Sequence, residues 1–150
     1  MKKVVYFGSI AILTLFSVSC SKKKGCTDPT SINYDSKAEE NDNSCAYEGN
    51  IIFYYDQSVS EELVNSEVPN LTYYVDNKLV GSSASSVYFT SKPNCGAQGS
   101  MTVKKSLGTS KNQSFTYSVK GNDNEEIWGG TVIVNANDCT ILQLTESNAK

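Results

Sequence analysis

Short apolar stretches alternate with turn-forming clusters along most of the chain, from residue 49 to residue 146. The stretches are rich in β-branched and aromatic residues, which favour strands. Phe115, Tyr117 and Val119 alternate with polar residues, as a strand with one buried face requires. The pattern predicts strands at 51–55, 71–75, 79–80, 87–90, 101–104, 114–119, 128–134 and 139–144. Seven or eight such strands predict an all-β fold, an antiparallel immunoglobulin-like β-sandwich over residues 49–146.

Residues 58–65 carry no strand pattern. Ser58 and Glu61 stand at the spacing of a capping box, which predicts one helical turn here. A loop without regular structure fits this composition equally well.

The N-terminal segment combines a basic start with a long apolar run. Lys2 and Lys3 precede residues 4–18, which are almost all apolar. This run is shorter than the roughly 20 residues of a membrane-spanning helix and suits the core of a signal peptide. It ends in Leu-Phe-Ser-Val-Ser-Cys at residues 15–20, which resembles the lipobox of bacterial lipoproteins.

The lipobox resemblance implies that residues 1–19 are removed as a signal peptide and that Cys20 carries a lipid. It also implies attachment to the outer membrane, because Ser21 does not resemble the aspartate of an inner-membrane retention signal. Residues 20–24 are then the lipidated cysteine and a basic linker, whose lysines either attract anionic lipid or serve as a soluble spacer. The alternative is an ordinary secretory signal with an incidental cysteine.

The cysteine count changes once Cys20 is assigned to the lipid. The remaining cysteines form an even set, which in an oxidising compartment predicts two disulfide bonds. We favour Cys26 with Cys45 and Cys95 with Cys139, because each pair then lies within one block of composition. A zinc site is the alternative, but the chain has neither histidine nor a C-x-x-C pair.

Residues 25–48 form a short module that is rich in Asn, Asp and Ser and bounded by cysteines. The module has too few aliphatic residues for a core, so a disulfide would have to hold it together. It resembles a repeat of secreted Bacteroidota proteins, roughly G-C-x-D-P-x-A-x-N-Y-x-x-x-A-x-x-D-D-G-S-C. The matching residues are Gly25, Cys26, Asp28, Pro29, Asn33, Tyr34, Ala38, Asp42, Ser44 and Cys45. The departures are Ser31, Asn41 and Asn43.

The oxygen-bearing side chains of this module are candidate ligands for calcium. Asp28, Asp35 and Asp42 are the predicted ligands, since calcium prefers carboxylate and carbonyl oxygens. Their spacing is not that of an EF-hand loop. The alternative is that these side chains form Asx turns with the backbone.

The main domain also resembles a known group, the small cell-envelope lipoproteins of Bacteroidota. The elements that carry the resemblance are Gly49 before the first strand, Pro-Asn-Cys-Gly-Ala-Gln-Gly at 93–99, Trp-Gly-Gly-Thr-Val-Ile-Val at 128–134, and Cys139. The resemblance implies a sandwich fold and a place in the cell envelope. It implies no activity, because that group has none established.

Composition excludes several function classes. The chain is acidic, with a net charge of −3, so it lacks the basic character that nucleic-acid binding requires. It has no histidine, the usual base of hydrolytic triads and a common zinc ligand. The chain has three pairs of adjacent glutamates, one of them at 125–126. If such a pair lies in a strand, its two side chains point to opposite faces, so the pair does not bring two carboxylates to one catalytic site. We therefore expect no catalysis and no obligatory cofactor.

Aromatic residues are the better candidates for ligand binding. Tyrosines occur in adjacent pairs, and in a strand one member of each pair would face outward. Outward rings could stack on sugars or on a protein partner. The candidate stacking residues are Tyr54, Tyr55, Tyr73, Tyr74 and Trp128. The sequence thus predicts a non-catalytic, lipid-anchored binding or structural module of the cell envelope, or alternatively a glycan-binding accessory lipoprotein.

Overall fold

The computed structural model describes residues 21–150, so the predicted signal peptide and the predicted lipidation site, Cys20, lie outside the described residues. The described part contains strands, one α-helix and a short 3₁₀ turn at Glu146–Asn148. In chain order the elements are β1 (Lys24–Gly25), β2 (Glu40–Asn41), β3 (Tyr47–Tyr54), α1 (Gln57–Asn65), β4 (Asn70–Val75), β5 (Lys78–Ala84), β6 (Met101–Gly108), β7 (Asn112–Lys120), β8 (Glu126–Asn135) and β9 (Cys139–Gln143). Within residues 21–150, no helix is both long enough and apolar enough to cross a membrane.

The seven strands β3 to β9 form two sheets, which confirms the predicted all-β sandwich. One sheet has the strand order β6-β3-β9 and the other has the order β5-β4-β7-β8. Neighbouring strands of these two sheets run antiparallel except β3 and β9, which pair in parallel from Asn50 with Cys139 to Tyr54 with Gln143. The last strand, β9, thus lies beside β3, the first strand of the sandwich, and completes the three-stranded sheet.

The hydrophobic core lies between the two sheets and is built around aromatic rings. Phe53 of β3 contacts Tyr73 of β4 and Tyr117 of β7, each with ring centroids 5.6 Å apart. Leu71, Val119 and other apolar residues at alternate strand positions are fully buried around them. The period of two in the sequence therefore corresponds to the inward faces of the strands.

Two local predictions need correction. Residues 87–90 form no strand: they belong to the loop between β5 and β6, where the Phe89 amide donates to the Tyr55 carbonyl at 3.0 Å. The segment around Ser58 is a full helix, α1, rather than one turn. Its N-cap is Asp56, whose side chain accepts a hydrogen bond from the Val59 amide at 3.2 Å. An aspartate at the N-cap satisfies an amide that the helix leaves unpaired, so the helix begins before Ser58.

Both predicted disulfide bonds are present. Cys26 is joined to Cys45 within the Cys-bounded module (residues 25–48). Cys95 is joined to Cys139, which ties the loop between β5 and β6 to the start of β9. Phe89 of the same loop packs edge-on against Tyr54, with ring centroids 6.4 Å apart. This loop therefore covers part of the outer face of the three-stranded sheet.

Candidate functional site

The polar side chains of the Cys-bounded module are used in local turns. Asp28, Asp35 and Asp42 each accept a hydrogen bond at 2.9 Å from the backbone amide two residues further on. Asn41 makes the same contact with the Asn43 amide at 3.1 Å. These are Asx turns, the alternative to a metal site that the composition left open.

The structure does not gather the predicted calcium ligands. Within residues 21–150, no group of three or more His, Cys, Asp or Glu side chains lies close enough to hold a metal ion. Asp35 instead forms an ion pair with Lys23 at 2.5 Å, and this contact lowers the pKa of the Asp35 carboxyl. Hydrogen bonds from the Ser44 hydroxyl and amide lower the pKa of Asp42. Each carboxylate is thus stabilised separately by its own neighbours.

Asp28 connects the module to the sandwich. One carboxylate oxygen accepts hydrogen bonds from the Thr30 amide and hydroxyl at 2.9 and 2.7 Å. The other accepts one from the Tyr47 hydroxyl at 2.7 Å and lies 2.7 Å from the Lys111 ammonium. Lys111 holds the pKa of Asp28 well below its ordinary value, and Asp28 raises the pKa of both Lys111 and Tyr47. We call Asp28, Thr30, Tyr47 and Lys111 the Asp28 junction.

One asparagine reinforces this attachment, and another holds the module together. Asn137, between β8 and β9, donates to the Thr30 carbonyl at 2.5 Å. Asn33 ties the middle of the module to its C-terminal end, since its side chain donates to the Ser44 carbonyl at 2.7 Å and accepts from the Ala46 amide at 2.8 Å. Because charged hydrogen bonds and backbone contacts act together, the module is held in one orientation on the sandwich.

The first described residues are also held within the module. The Lys23 carbonyl accepts hydrogen bonds from the Glu39 and Glu40 amides at 2.8 and 3.2 Å. Lys24 begins β1, which pairs in parallel with β2, and its ammonium lies 3.6 Å from the Glu40 carboxylate. Two of the three linker lysines therefore have carboxylate partners within the module, and the hydrogen bonds of the module begin at Lys23.

Four of the five candidate stacking residues are buried, which corrects the prediction of an outward aromatic platform. Tyr54, Tyr55, Tyr73 and Trp128 are between 1 and 8% exposed. The Tyr73/Tyr74 pair keeps the expected alternation, with Tyr73 in the core and Tyr74 on the other face of β4. Tyr54 and Tyr55 are both buried because both faces of β3 are covered, one by the opposite sheet and the other in part by the loop that carries Phe89. The hydroxyls of the buried tyrosines are satisfied by Gln143, Ala84 and Ser83.

Trp128 belongs to the core rather than to a ligand site. It is 2% exposed, and its indole nitrogen donates to the Thr145 carbonyl at 2.9 Å. The ring borders a cavity of about 250 Å³ between α1 and residues 146–150, with Leu63, Val68 and Ile127. Glu62, Glu146 and Lys150 also line this cavity.

Tyr74 is the candidate whose ring reaches the protein surface. It lies on the outer face of the four-stranded sheet, beside a depression of about 230 Å³ that we call the sheet-face pocket. The residues that line the pocket are Tyr74, Asn77, Ser118, Lys120 and Glu126. The Lys120 ammonium lies 5.4 Å from the centre of the Tyr74 ring. The pocket thus combines an aromatic ring with amide, hydroxyl, ammonium and carboxylate groups.

Two strand irregularities and one glycine shape this pocket. The register shifts between Tyr73 and Tyr74 in the β4–β5 pair, and between Val119 and Lys120 in the β7–β8 pair. Such shifts change the direction of neighbouring side chains. At Gly129 an added Cβ would lie 2.5 Å from the Glu126 carboxylate, so glycine leaves room for that side chain. Lys150 pairs with Glu126 and lowers the pKa of its carboxyl.

Sequence reasoning identified Tyr74 but missed the residues around it. The alternation in 114–119 placed Ser118 on the polar face of its strand, and Asn77 lies between the predicted strands 71–75 and 79–80, where a turn is required. Lys120 and Glu126 carried no signal, because their distance from Tyr74 depends on which strands pair and in which register.

No family, no curated protein and no solved structure matches this chain.

Proposed function

We propose that the chain is a non-catalytic, lipid-anchored protein of the bacterial outer membrane that acts as a binding or structural module. The Asp28 junction carries this proposal. It joins the module nearest to Cys20 firmly to the sandwich, so an anchor at Cys20 would hold the whole domain in a defined position. The two disulfide bonds support a location outside the reducing cytoplasm.

The short distance from Cys20 to the module supports the same proposal. The three residue-to-residue steps from Cys20 to Lys23 span at most about 10 Å. A domain joined so closely to a lipid would remain at the membrane surface instead of moving on a long linker. This arrangement suits a protein that presents one surface to a neighbouring envelope component.

The anchor is tested by substitution of the lipid-bearing cysteine. Cys20→Ser should remove lipid from the chain and release the protein into the soluble fraction, whereas the matched control Ser21→Ala should remain in the membrane. Lipid is detected by the mass of the N-terminal peptide, and location by fractionation. A Cys20→Ser protein that stays in the membrane like the wild type would contradict the proposal.

Protease treatment of intact cells then shows on which side of the outer membrane the sandwich, and therefore its partner, lies. Cleavage of the sandwich in intact cells would place its partners outside the cell. Cleavage only after the outer membrane is opened would place them in the periplasm.

Glycan binding is the second candidate, and the sheet-face pocket is the observation that favours it. A sugar ring has an apolar face that packs on an aromatic ring and hydroxyls that need polar partners. Tyr74 offers the ring, while Asn77, Ser118 and Glu126 offer hydrogen-bonding groups around it. This candidate relies on the half-buried Tyr74 instead of the buried residues Tyr54, Tyr55, Tyr73 and Trp128.

An array of bacterial and host polysaccharides tests the second candidate. Tyr74→Ala should lose binding that the wild type shows, and the control Tyr88→Ala, which removes an exposed ring outside the pocket, should keep it. Equal binding by wild type and Tyr74→Ala would exclude the sheet-face pocket. The absence of any wild-type binding to the array would count against glycan recognition.

A further inference from the structure

Ile32 and Tyr34 are large apolar side chains on the surface of the Cys-bounded module. Ile32 is 57% exposed and Tyr34 is 45% exposed. Between them, Asn33 directs its side chain to the backbone at Ser44 and Ala46. Asn33 therefore fixes the local backbone while its two neighbours remain at the surface. We call Ile32 and Tyr34 the apolar pair.

The apolar pair lies close to the anchored end of the chain. Tyr34 forms a parallel bridge with Cys26, and the Asp35 amide donates to the Cys26 carbonyl at 2.9 Å. Cys26 directly follows β1, whose first residue is Lys24. The segment that bears Tyr34 is thus the immediate neighbour of the segment that leads to Cys20.

This position brings the membrane within reach of the pair. The chain from Cys20 to Lys23 spans at most about 10 Å. The headgroup layer on each side of a bilayer is roughly 5–7 Å thick. A lipid on Cys20 would therefore hold the module against the headgroups, with no room for another domain between them.

The charges near the pair are compatible with a lipid surface. The Asp35 carboxylate next to Tyr34 is paired with Lys23, and Glu40 is paired with Lys24. Within residues 21–150, Lys22 and Lys37 form no ion pair, and neither do Glu39 and Asp42, so the unpaired charges of the module balance. Tyrosine is favoured at membrane interfaces because its ring is apolar and its hydroxyl is polar.

We propose that Ile32 and Tyr34 insert into the headgroup region of the bilayer that carries the anchor, and so orient the sandwich relative to the membrane. This inference rests on the proposed lipid anchor. It adds that the module is a second point of membrane contact. The apolar pair contacts the lipid surface itself, because the anchor leaves no space for a separate protein between this face of the module and the membrane.

The test uses residues 20–150 with the Cys20 thiol coupled to a maleimide lipid, since the other cysteines are in disulfide bonds. Residues 21–150 contain the hydrophobic core and both disulfides. The coupled protein is placed in phosphatidylcholine vesicles, with or without bromine on the acyl chains near the headgroups. Tyr34→Trp is compared with Tyr88→Trp. Tyr88 lies outside the module and is 40% exposed, so it serves as a surface control.

The tryptophan at position 34 should lose emission in brominated vesicles and shift to shorter wavelength, whereas the tryptophan at position 88 should do neither. Buried Trp128 contributes the same background to both proteins. Ile32→Trp is a second reporter if Tyr34→Trp folds poorly. Equal responses at positions 34 and 88, or no response at 32 and 34, would overturn the inference.

The two proposals fail in different ways. Chemical coupling tests the apolar pair whether or not cells attach a lipid to Cys20. Native lipidation is read separately, from the mass of the N-terminal peptide of protein made in a bacterium with an outer membrane. An unlipidated native protein would refute the anchor, while the vesicle result would still decide whether the pair contacts lipid.

Discussion

Asp28 accepts a hydrogen bond of 2.7 Å from Tyr47, which lies 19 residues further along the chain at the start of β3. The same carboxylate oxygen is 2.7 Å from the Lys111 ammonium, just before β7. The contact joins a module without a core of its own to a strand that runs through the main core. Asp28 therefore makes the module part of the folded domain rather than a flexible spacer.

Asp28→Asn should destabilise the protein at neutral pH, because it removes the charge opposite Lys111. The pKa of Asp28 is lowered in the folded state, so its contribution is complete above the unfolded value of about 3.9. That contribution disappears as pH falls through the lower folded pKa. Thermal unfolding from pH 7 to pH 2 should show a difference between wild type and variant that shrinks at acid pH.

Asp42→Asn is the matched control for this prediction. Its carboxylate caps a local turn through the Ser44 amide, and an asparagine oxygen can accept the same hydrogen bond. It should change the unfolding midpoint less than Asp28→Asn at pH 7. A pH-independent effect of Asp28→Asn would mean that the charge on Asp28 does not matter.

Removal of the Cys95–Cys139 bond should be more costly than removal of the Cys26–Cys45 bond. The cysteines are 44 residues apart in the first pair and 19 apart in the second. Loop-closure entropy then predicts losses of about 4 and about 3 kcal/mol for the two paired Cys→Ser variants. Urea unfolding of both variants measures the difference, and a larger loss for the Cys26–Cys45 pair would contradict it.

Trp128 should be poorly accessible to small quenchers. Its ring is 2% exposed and its nitrogen is hydrogen-bonded to Thr145, so acrylamide should quench its emission weakly. Trp128→Ala should lower the free energy of unfolding by about 3–5 kcal/mol, the usual cost of removing a buried aromatic side chain. Strong quenching in the folded protein would place the indole at the surface and reopen its role in ligand binding.

Gly49→Ala and Gly129→Ala should differ in their effect on stability. A Cβ at Gly49 would lie 2.4 Å from the Asn135 carbonyl oxygen, which belongs to the backbone of β8 and cannot move freely. We expect a loss of about 1–3 kcal/mol from this overpacking. At Gly129 the nearest atoms belong to the flexible Glu126 side chain, so the substitution should cost less. Chemical unfolding of both variants checks the order.

Calcium should neither bind strongly to the module nor stabilise it. Each predicted ligand already accepts a backbone hydrogen bond in its own Asx turn, and the carboxylates of Asp28 and Asp35 are paired with lysines. Calorimetric titration of the intact protein should therefore give a flat trace. Binding heat that disappears in Asp35→Asn but persists in Asp123→Asn would establish a calcium site after all.

The sequence by itself determined the features that depend on neighbouring residues. Alternation with a period of two located most strands, and β7 follows the pattern seen at 114–119. The turn between β4 and β5 was also predictable, because Asp76 and Asn77 tolerate the positive φ angles of 50° and 59° found there. The disulfide pairing followed from composition, since each bond stays within its own block of the chain.

Tertiary structure decided the features that depend on which distant segments meet. Local alternation predicted one outward ring in each tyrosine pair, yet Tyr54 and Tyr55 are both buried because a loop covers the second face of β3. The parallel pairing of β3 with β9 and the approach of Lys120 to Tyr74 arise in the same way. Strand order and register bring these residues together, and neither property is written in the spacing of residues along a single strand.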